Sequence, residues 1–274
     1  MSDKKYFIID AHCHIYPEKI AAQASAATDH FYDTHGTYHG TVNELEEEKE
    51  RFGIDHFVVQ SVATTPKQVP SINRFIAQTV AQSKGVLTGL GSLHPDSTDI
   101  KGDIEHIIEA GLHGVKLHPD IQQFEMDSIR CRKIYDICEE KHLPILMHTG
   151  DSRYDYSNVN RLLPIVKHYS DLVIVGAHLG GWSIWDQLGD QLAGYKNLYF
   201  DCSSCFTWIS PSIVKEFIEL YGADHVLFGS DFPMWSPGKE LRTFLSMGLG
   251  EEDNRKILSE NAVRVYGISN INKN

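Results

Sequence analysis

The chain has 274 residues, enough for one large core and close to the roughly 250 residues of a single α/β barrel. Its 37 acidic against 25 basic residues leave a net charge of -12, which argues against a nucleic-acid surface. No apolar run approaches the roughly 20 residues of a membrane span. Five scattered cysteines, an odd number, fit reduced thiols better than a disulfide framework, and Cys202-Ser203-Ser204-Cys205 lacks the second pair that a metal or redox role would use.

In chain order, Met1-Ser2-Asp3-Lys4-Lys5 leads straight into an apolar run rather than a signal-peptide core, so a cytoplasmic location is expected. Short apolar runs follow at Phe7 to Ile15, His56 to Ala63, Val86 to His94, Gly114 to His118, Leu143 to Thr149, Leu172 to Leu179, Leu198 to Cys202 and Val226 to Asp231. These are eight candidate strands. The long connection from Tyr16 to Gly40 carries His30, Tyr32, His35 and His39 and is read as a lid loop at 16–40. Thr41-x-x-Glu44 forms a capping box ahead of Val42, Leu45 and Phe52 on a helix whose charged run, Glu44 to Arg51, faces water. Helical stripes recur after each later strand: Ile72, Phe75, Ile76 and Val80; Ile104, Ile107 and Ile108; Ile134, Ile137 and Cys138; Leu162, Ile165 and Val166. They continue with Trp185, Leu188 and Leu192, then Val214, Phe217 and Ile218, then Phe244 with Leu245. Near-continuous apolar strands alternating with amphipathic helices predict a parallel sheet closed into a (β/α)8 TIM barrel, and no linker or composition shift divides residues 1–274.

Barrel enzymes build their sites at the carboxyl ends of the strands. Here those ends carry His12 and His14, then His94, Lys116 and His118, His148, His178, and Asp231. In His12-Cys13-His14, strand alternation turns both imidazoles one way and Cys13 the other, so one strand supplies half of a tetrahedral site. A ring of imidazoles and a carboxylate in a barrel interior is costly unless it surrounds a cation.

The strings Asp10-Ala11-His12-Cys13-His14, Met147-His148-Thr149-Gly150, Ala177-His178-Leu179-Gly180-Gly181, Gly229-Ser230-Asp231-Phe232-Pro233 and Glu260-Asn261-Ala262 resemble, in order, the amidohydrolase superfamily. The resemblance is to the amidohydrolase-related subgroup that includes aminocarboxymuconate-semialdehyde and resorcylate decarboxylases. It implies His12, His14, His148 and Asp231 as ligands of one zinc ion, with manganese, iron or cobalt as alternatives, and a bound water whose pKa falls toward about 7. Asp231 and His178 would be the catalytic pair, Asp231 orienting or deprotonating the water and His178 bonding to it or polarising the substrate. Lys116 and His178 match the positions that hold a second metal in binuclear members if the lysine is carbamylated; an unmodified Lys116 would instead pair with a carboxylate such as Asp120.

For substrate binding, Arg153 is placed to hold a carboxylate, and Trp182, Trp208 and Trp235 to form an aromatic wall, with Trp185 in the core. His94 and His118 are expected to hydrogen-bond to the metal ligands rather than bind metal. Three readings stand: hydrolysis of an amide, lactone or ester of a small molecule by metal-activated water; metal-dependent nonoxidative decarboxylation of an aromatic or enoic acid; and an inactive metal-binding protein. The modest length leaves little room for the insertions common in the decarboxylases and favours the hydrolase. A small-molecule substrate is the expected partner, nucleic acid and membrane are not, and a homo-oligomer is compatible with the sequence.

Overall fold

A computed structural model describes residues 6–269, so the reading of Met1 to Lys5 lies outside the described residues. The strands are β1 (Ile9–His14), β2 (His56–Gln60), β3 (Leu87–Gly89), β4 (Gly91–Ser92), β5 (Val115–Leu117), β6 (Ile145–Met147), β7 (Ile174–Gly176), β8 (Leu198–Asp201) and β9 (Val226–Leu227). The helices are α1 (Glu18–Tyr32), α2 (Val42–Phe52), α3 (Val69–Gln82), α4 (Ile100–Glu109), α5 (Pro119–Gln122), α6 (Ile129–Glu140), α7 (Val159–His168), α8 (Cys205–Trp208), α9 (Pro211–Tyr221), α10 (Pro237–Ser246), α11 (Glu251–Arg255) and α12 (Asn261–Tyr266).

All pairings are parallel, β1-β2-β3 in one run and β4 to β9 in another. The predicted third strand is β3 and β4 together, interrupted at Leu90. Its amide still donates to the Val59 carbonyl at 2.9 Å, so the two runs are continuous. The ring closes where Ala11 N donates to Phe228 O at 2.8 Å and Asp231 N to His12 O at 2.9 Å. The eight expected staves of a (β/α)8 barrel are thus present.

Side-chain alternation divides the core in two. Ile9, Ala11, Val58, Leu90, Leu146, Val175, Ala177 and Leu227 fill the barrel, and Ala262, Val265 and Tyr266 of α12 plug its amino-terminal end. Phe57, Val59, Ile76, Ile104, Ile134, Leu162, Val214 and Phe244 fill the layer between strands and helices. Asn261, in the last recognised motif, fixes the plug by donating to the Val226 carbonyl at 2.6 Å.

Helix α2 starts with the expected capping box, Thr41 Oγ1 accepting from Glu44 N at 3.2 Å while Glu44 accepts from Thr41 N at 2.9 Å. Two expectations change. The connection at 16–40 is not a loop: most of it is the helix α1, which lies across the carboxyl end of the barrel. The helix expected around Trp185, Leu188 and Leu192 is only a turn at Trp185–Gln187, because Gly189 and Gly194 sit at positive φ and break the stretch.

Candidate metal centre

Strand parity places the site. In β1 one extra residue lies between Asp10 and Cys13 relative to β2, a bulge that shifts the side-chain alternation. Ile9 and Ala11 therefore face the barrel interior, yet His12 and His14 face it as well, and Cys13 turns outward into the helix layer. On β6 the inward face runs from Leu146 to His148, and beyond β9 it runs from Leu227 to Asp231.

His12 Nε2 lies 3.2 Å from His14 Nε2 and 3.4 Å from Asp231 Oδ1, and His14 Nε2 is 3.5 Å from the same oxygen. Donors about 2.05 Å from a tetrahedral ion stand about 3.4 Å apart, the edge of that tetrahedron. The triangle has this size. The hydrogen-bond network assigns the tautomer of His12: Nδ1–H donates to Asp201 Oδ2 at 2.9 Å, leaving Nε2 toward the cavity. Burial opposes ionisation of Asp201, but His12 and His178 outweigh it and hold the carboxyl below its ordinary range. Asp231 is also pushed up by burial, yet His12, His178 and His14 bring it down to about 2. Burial keeps His14 neutral, its pKa well below the ordinary value. Two imidazole nitrogens and a carboxylate oxygen converging in a buried space are thus a donor set suited to a zinc-like cation.

Two of these groups sit on strained backbone that the surrounding packing must hold in place. Asp231 has φ 66° and His178 φ 59°, left-handed values that cost a residue with a side chain about 1–3 kcal/mol each. Gly150, two residues past His148, has φ 86°, and a Cβ there would lie 2.5 Å from the Gly181 backbone. The ends of β6 and β7 touch at this point.

His148 and His178 line the same cavity without joining the triangle. His178 Nδ1 meets the Ser203 carbonyl at 2.9 Å, and its Nε2 faces His148 Nδ1 at 3.0 Å. His148 Nε2 points at the Gly150 carbonyl, 3.1 Å away, and is 3.7 Å from Asp120 Oδ2. His118, Asp120 and His148 also cluster, but His118 is committed at both nitrogens, to Ile121 N at 3.2 Å and Tyr32 Oη at 2.7 Å. Its ring stacks on that of His148 at 4.0 Å. His118 thus stacks on His148 without hydrogen-bonding to it, and among the described residues His94 accepts from Asp96 N at 3.2 Å, so neither makes the hydrogen bond to a metal ligand that the sequence suggested.

Lys116 is buried with Nζ 3.1 Å from His12 Nε2. That contact, rather than the Asp120 pairing offered by the sequence, is its nearest partner. Burial lowers its pKa to about 8 against the pull of Asp231 and Asp201, so a neutral amine is within reach, the form that carbamylation requires.

The cavity above the site is about 930 Å³, walled by α1 on one side and by Trp182, Trp208 and Trp235 on another. Trp235 donates to Ser204 Oγ at 2.9 Å, and that hydroxyl donates to Asp231 Oδ2 at 2.6 Å. Trp185 is half-buried and donates to the His178 carbonyl at 2.8 Å. Arg153 is not among the residues lining the cavity. Its guanidinium pairs with Asp151 at 2.7 Å, donates to the Phe31 carbonyl, and stacks on Phe31, Tyr32 and Trp182, which fastens the end of α1 over the barrel. The position expected to grip a substrate carboxylate is thus occupied by contacts to Asp151 and to the end of α1.

Sequence reasoning missed Asp201, the last residue of β8 and one short of the end of the seventh predicted strand at Cys202. It also missed Ser203, whose hydroxyl donates to Asp201. The thiols of Cys202 and Cys205 are buried and unpaired, and burial pushes both upward, as inert cysteines require. Among the described residues, no helix is long and apolar enough to cross a membrane.

Three solved structures share the fold over nearly the whole chain. An uncharacterized TIM-barrel protein from Bordetella bronchiseptica matches with TM-score 0.79 at 20% identity, covering 95% of this chain and 98% of that one. The 5-carboxyvanillate decarboxylase of Sphingomonas paucimobilis matches with TM-score 0.75 at 15% identity, covering 96% and 99%. A dihydroxybenzoic acid decarboxylase from Polaromonas sp. JS666, with bound manganese and the inhibitor 2-nitroresorcinol, matches with TM-score 0.71 at 14% identity, covering 96% and 97%. No curated protein sequence matches the chain. The sequence profile of the family described as Amidohydrolase matches residues 9–268, so nearly the entire barrel belongs to the amidohydrolase family.

Proposed function

We propose that the chain is a metal-dependent hydrolase acting on an amide, lactone or ester of a small molecule. The observation that carries this reading is the triangle of His12, His14 and Asp231 at the floor of an open cavity, sized for one tetrahedral ion. His12, His14 and Asp231 would hold the ion, with His148, which lines the same cavity, as the fourth ligand. Zinc fits the nitrogen-rich donors, and manganese is the alternative, as in the decarboxylase structure that contains it. When bound, the ion supplies Lewis-acid polarisation and lowers the pKa of a coordinated water.

The remaining work falls to the chain. Asp231, ionised and strained toward the cavity, orients the attacking water and takes its proton. Asp231 then passes that proton to the leaving group, while His178, held through Nδ1 by the Ser203 carbonyl and lining the same cavity, helps to polarise the substrate. Lys116 keeps positive charge near the floor and, if carbamylated, supports a second ion with His178. Trp182 and Trp235 pack against the substrate while α1 limits the access of water.

Nonoxidative decarboxylation is the second reading, favoured by decarboxylases of the same fold such as those from Sphingomonas paucimobilis and Polaromonas. There the same groups orient a carboxylate and deliver a proton to carbon. The two are separated by a panel of lactones, amides, esters and hydroxybenzoates, recording acid release and carbon dioxide together. Acid without carbon dioxide is expected; carbon dioxide without hydrolysis replaces the first reading by the second.

A further inference from the structure

The charge of the cavity is opposite to that of the protein. The whole chain carries 37 acidic and 25 basic residues, yet the only carboxylate lining the cavity among the described residues is Asp231, against the cations Lys19, Arg74 and Lys116. Asp231 and Lys116 belong to the floor. Lys19 in the first turn of α1 and Arg74 on α3 are exposed, so they stand at the mouth, and neither makes an ion pair or hydrogen bond among the described residues. Between floor and mouth the wall is mainly apolar and aromatic, with Ile20, Ile72, Phe75 and Trp208 contributing, interspersed with neutral polar side chains such as Thr64 and Gln68. Trp208 and Ile20 are 49% and 42% exposed, and both line this opening. Arg153, the other cation nearby, is already neutralised by Asp151.

We propose that the cavity takes an amphipathic anion: an apolar body along this wall, the reacting group at the His12, His14 and Asp231 floor, and an acidic group at the far end read by Lys19 and Arg74. The proposal rests on the reading of this cavity as the substrate site and narrows the substrate class within it. A cavity of about 930 Å³ lies near the top of the range for small-molecule sites, which suits an elongated body rather than a single small ring. Unpaired cations around an apolar mouth also attract anions from solution, in a manner that salt weakens.

The test uses two dyes of nearly the same shape, the anionic 8-anilinonaphthalene-1-sulfonate and the neutral N-phenyl-1-naphthylamine, titrated by fluorescence. Replacing both cations, Lys19→Gln with Arg74→Gln, is expected to weaken the anionic dye about fivefold, since exposed pairs contribute modestly, and to leave the neutral dye within about twofold. Raising the salt concentration is expected to weaken the anionic dye in the wild type but not in the double variant. An unchanged anionic dye, or an equal loss of both dyes, overturns the proposal. Neither dye reacts, so a chain that turns over nothing in the substrate panel refutes the catalytic reading without altering this result. Both substituted residues are exposed and remote from the core, so the fold is retained.

Discussion

Asp201→Asn tests the metal centre through a residue that would not touch the metal. The carboxylate is fully buried, accepts from His12 Nδ1 at 2.9 Å, and also accepts from the amides of His178 at 3.2 Å and Ser203 at 3.0 Å. Asparagine keeps the volume and one carbonyl. That carbonyl is needed by the two amides, so the new NH2 faces His12 Nδ1 and drives the imidazole proton to Nε2, the nitrogen that must be bare to bind a cation. A hydrogen bond to a charged group contributes about 1.5–3 kcal/mol. At about 1.4 kcal/mol per tenfold, metal affinity should fall by about 10- to 150-fold, in line with the 10–100-fold typical of partners behind a ligand. The assay is a competitive titration of zinc against a chromophoric chelator, with circular dichroism confirming the fold. A folded variant whose zinc affinity changes by less than about twofold would refute the assigned tautomer and with it the role of Asp201.

Two further outcomes follow from the packing. Burial raises Glu240 from 4.5 to about 8, so between those values the folded chain binds a proton that the unfolded chain has released, and stability falls as pH rises. Glu240→Gln removes much of that penalty: the full shift corresponds to about 5 kcal/mol, and recovery of about 2 kcal/mol of it in chelator-treated protein should raise the Tm by about 4–8 °C at pH 8.5 and leave it unchanged at pH 4.5, whereas equal gains at both pH values would contradict the linkage. Gly150→Ala puts a Cβ 2.5 Å from the Gly181 backbone at φ 86°, so it should cost at least about 2 kcal/mol, lower the Tm by about 4–8 °C and reduce bound metal. Wild-type stability and metal content in that variant would show that the ends of β6 and β7 are not in register as described.

Much of this architecture is legible in the residues because two periodicities and one cost rule carry it. Strand alternation places His12 and His14 together and Cys13 apart, and polar residues at the ends of apolar strands single out His148, His178 and Asp231. The bulge in β1 is invisible to that rule, since a simple alternation of Ile9 and Ala11 would turn His12 outward. Helix α1 escaped because its sequence is rich in alanine and buries only Ala21 and Ser25 among its residues, leaving no apolar stripe to read. Alanine propensity was the available signal. Arg153 misled because a lone cation beside a site looks like a substrate clamp until Asp151, two residues earlier, and the α1 carbonyl of Phe31 are seen to occupy it. The turn at Trp185 shows the converse: the spacing of Trp185, Leu188 and Leu192 is helical, and Gly189 and Gly194 override it.

On the proposed reading, His12, His14 and Asp231 hold a catalytic zinc or manganese ion. Metal analysis of wild-type and His12→Ala protein, purified without chelator, tests it most directly. About one zinc or manganese per wild-type chain, falling below about a tenth in the variant with its fold intact, is the predicted result. Equal metal content in the two proteins, or a wild type that turns over substrate after complete metal removal, would contradict it.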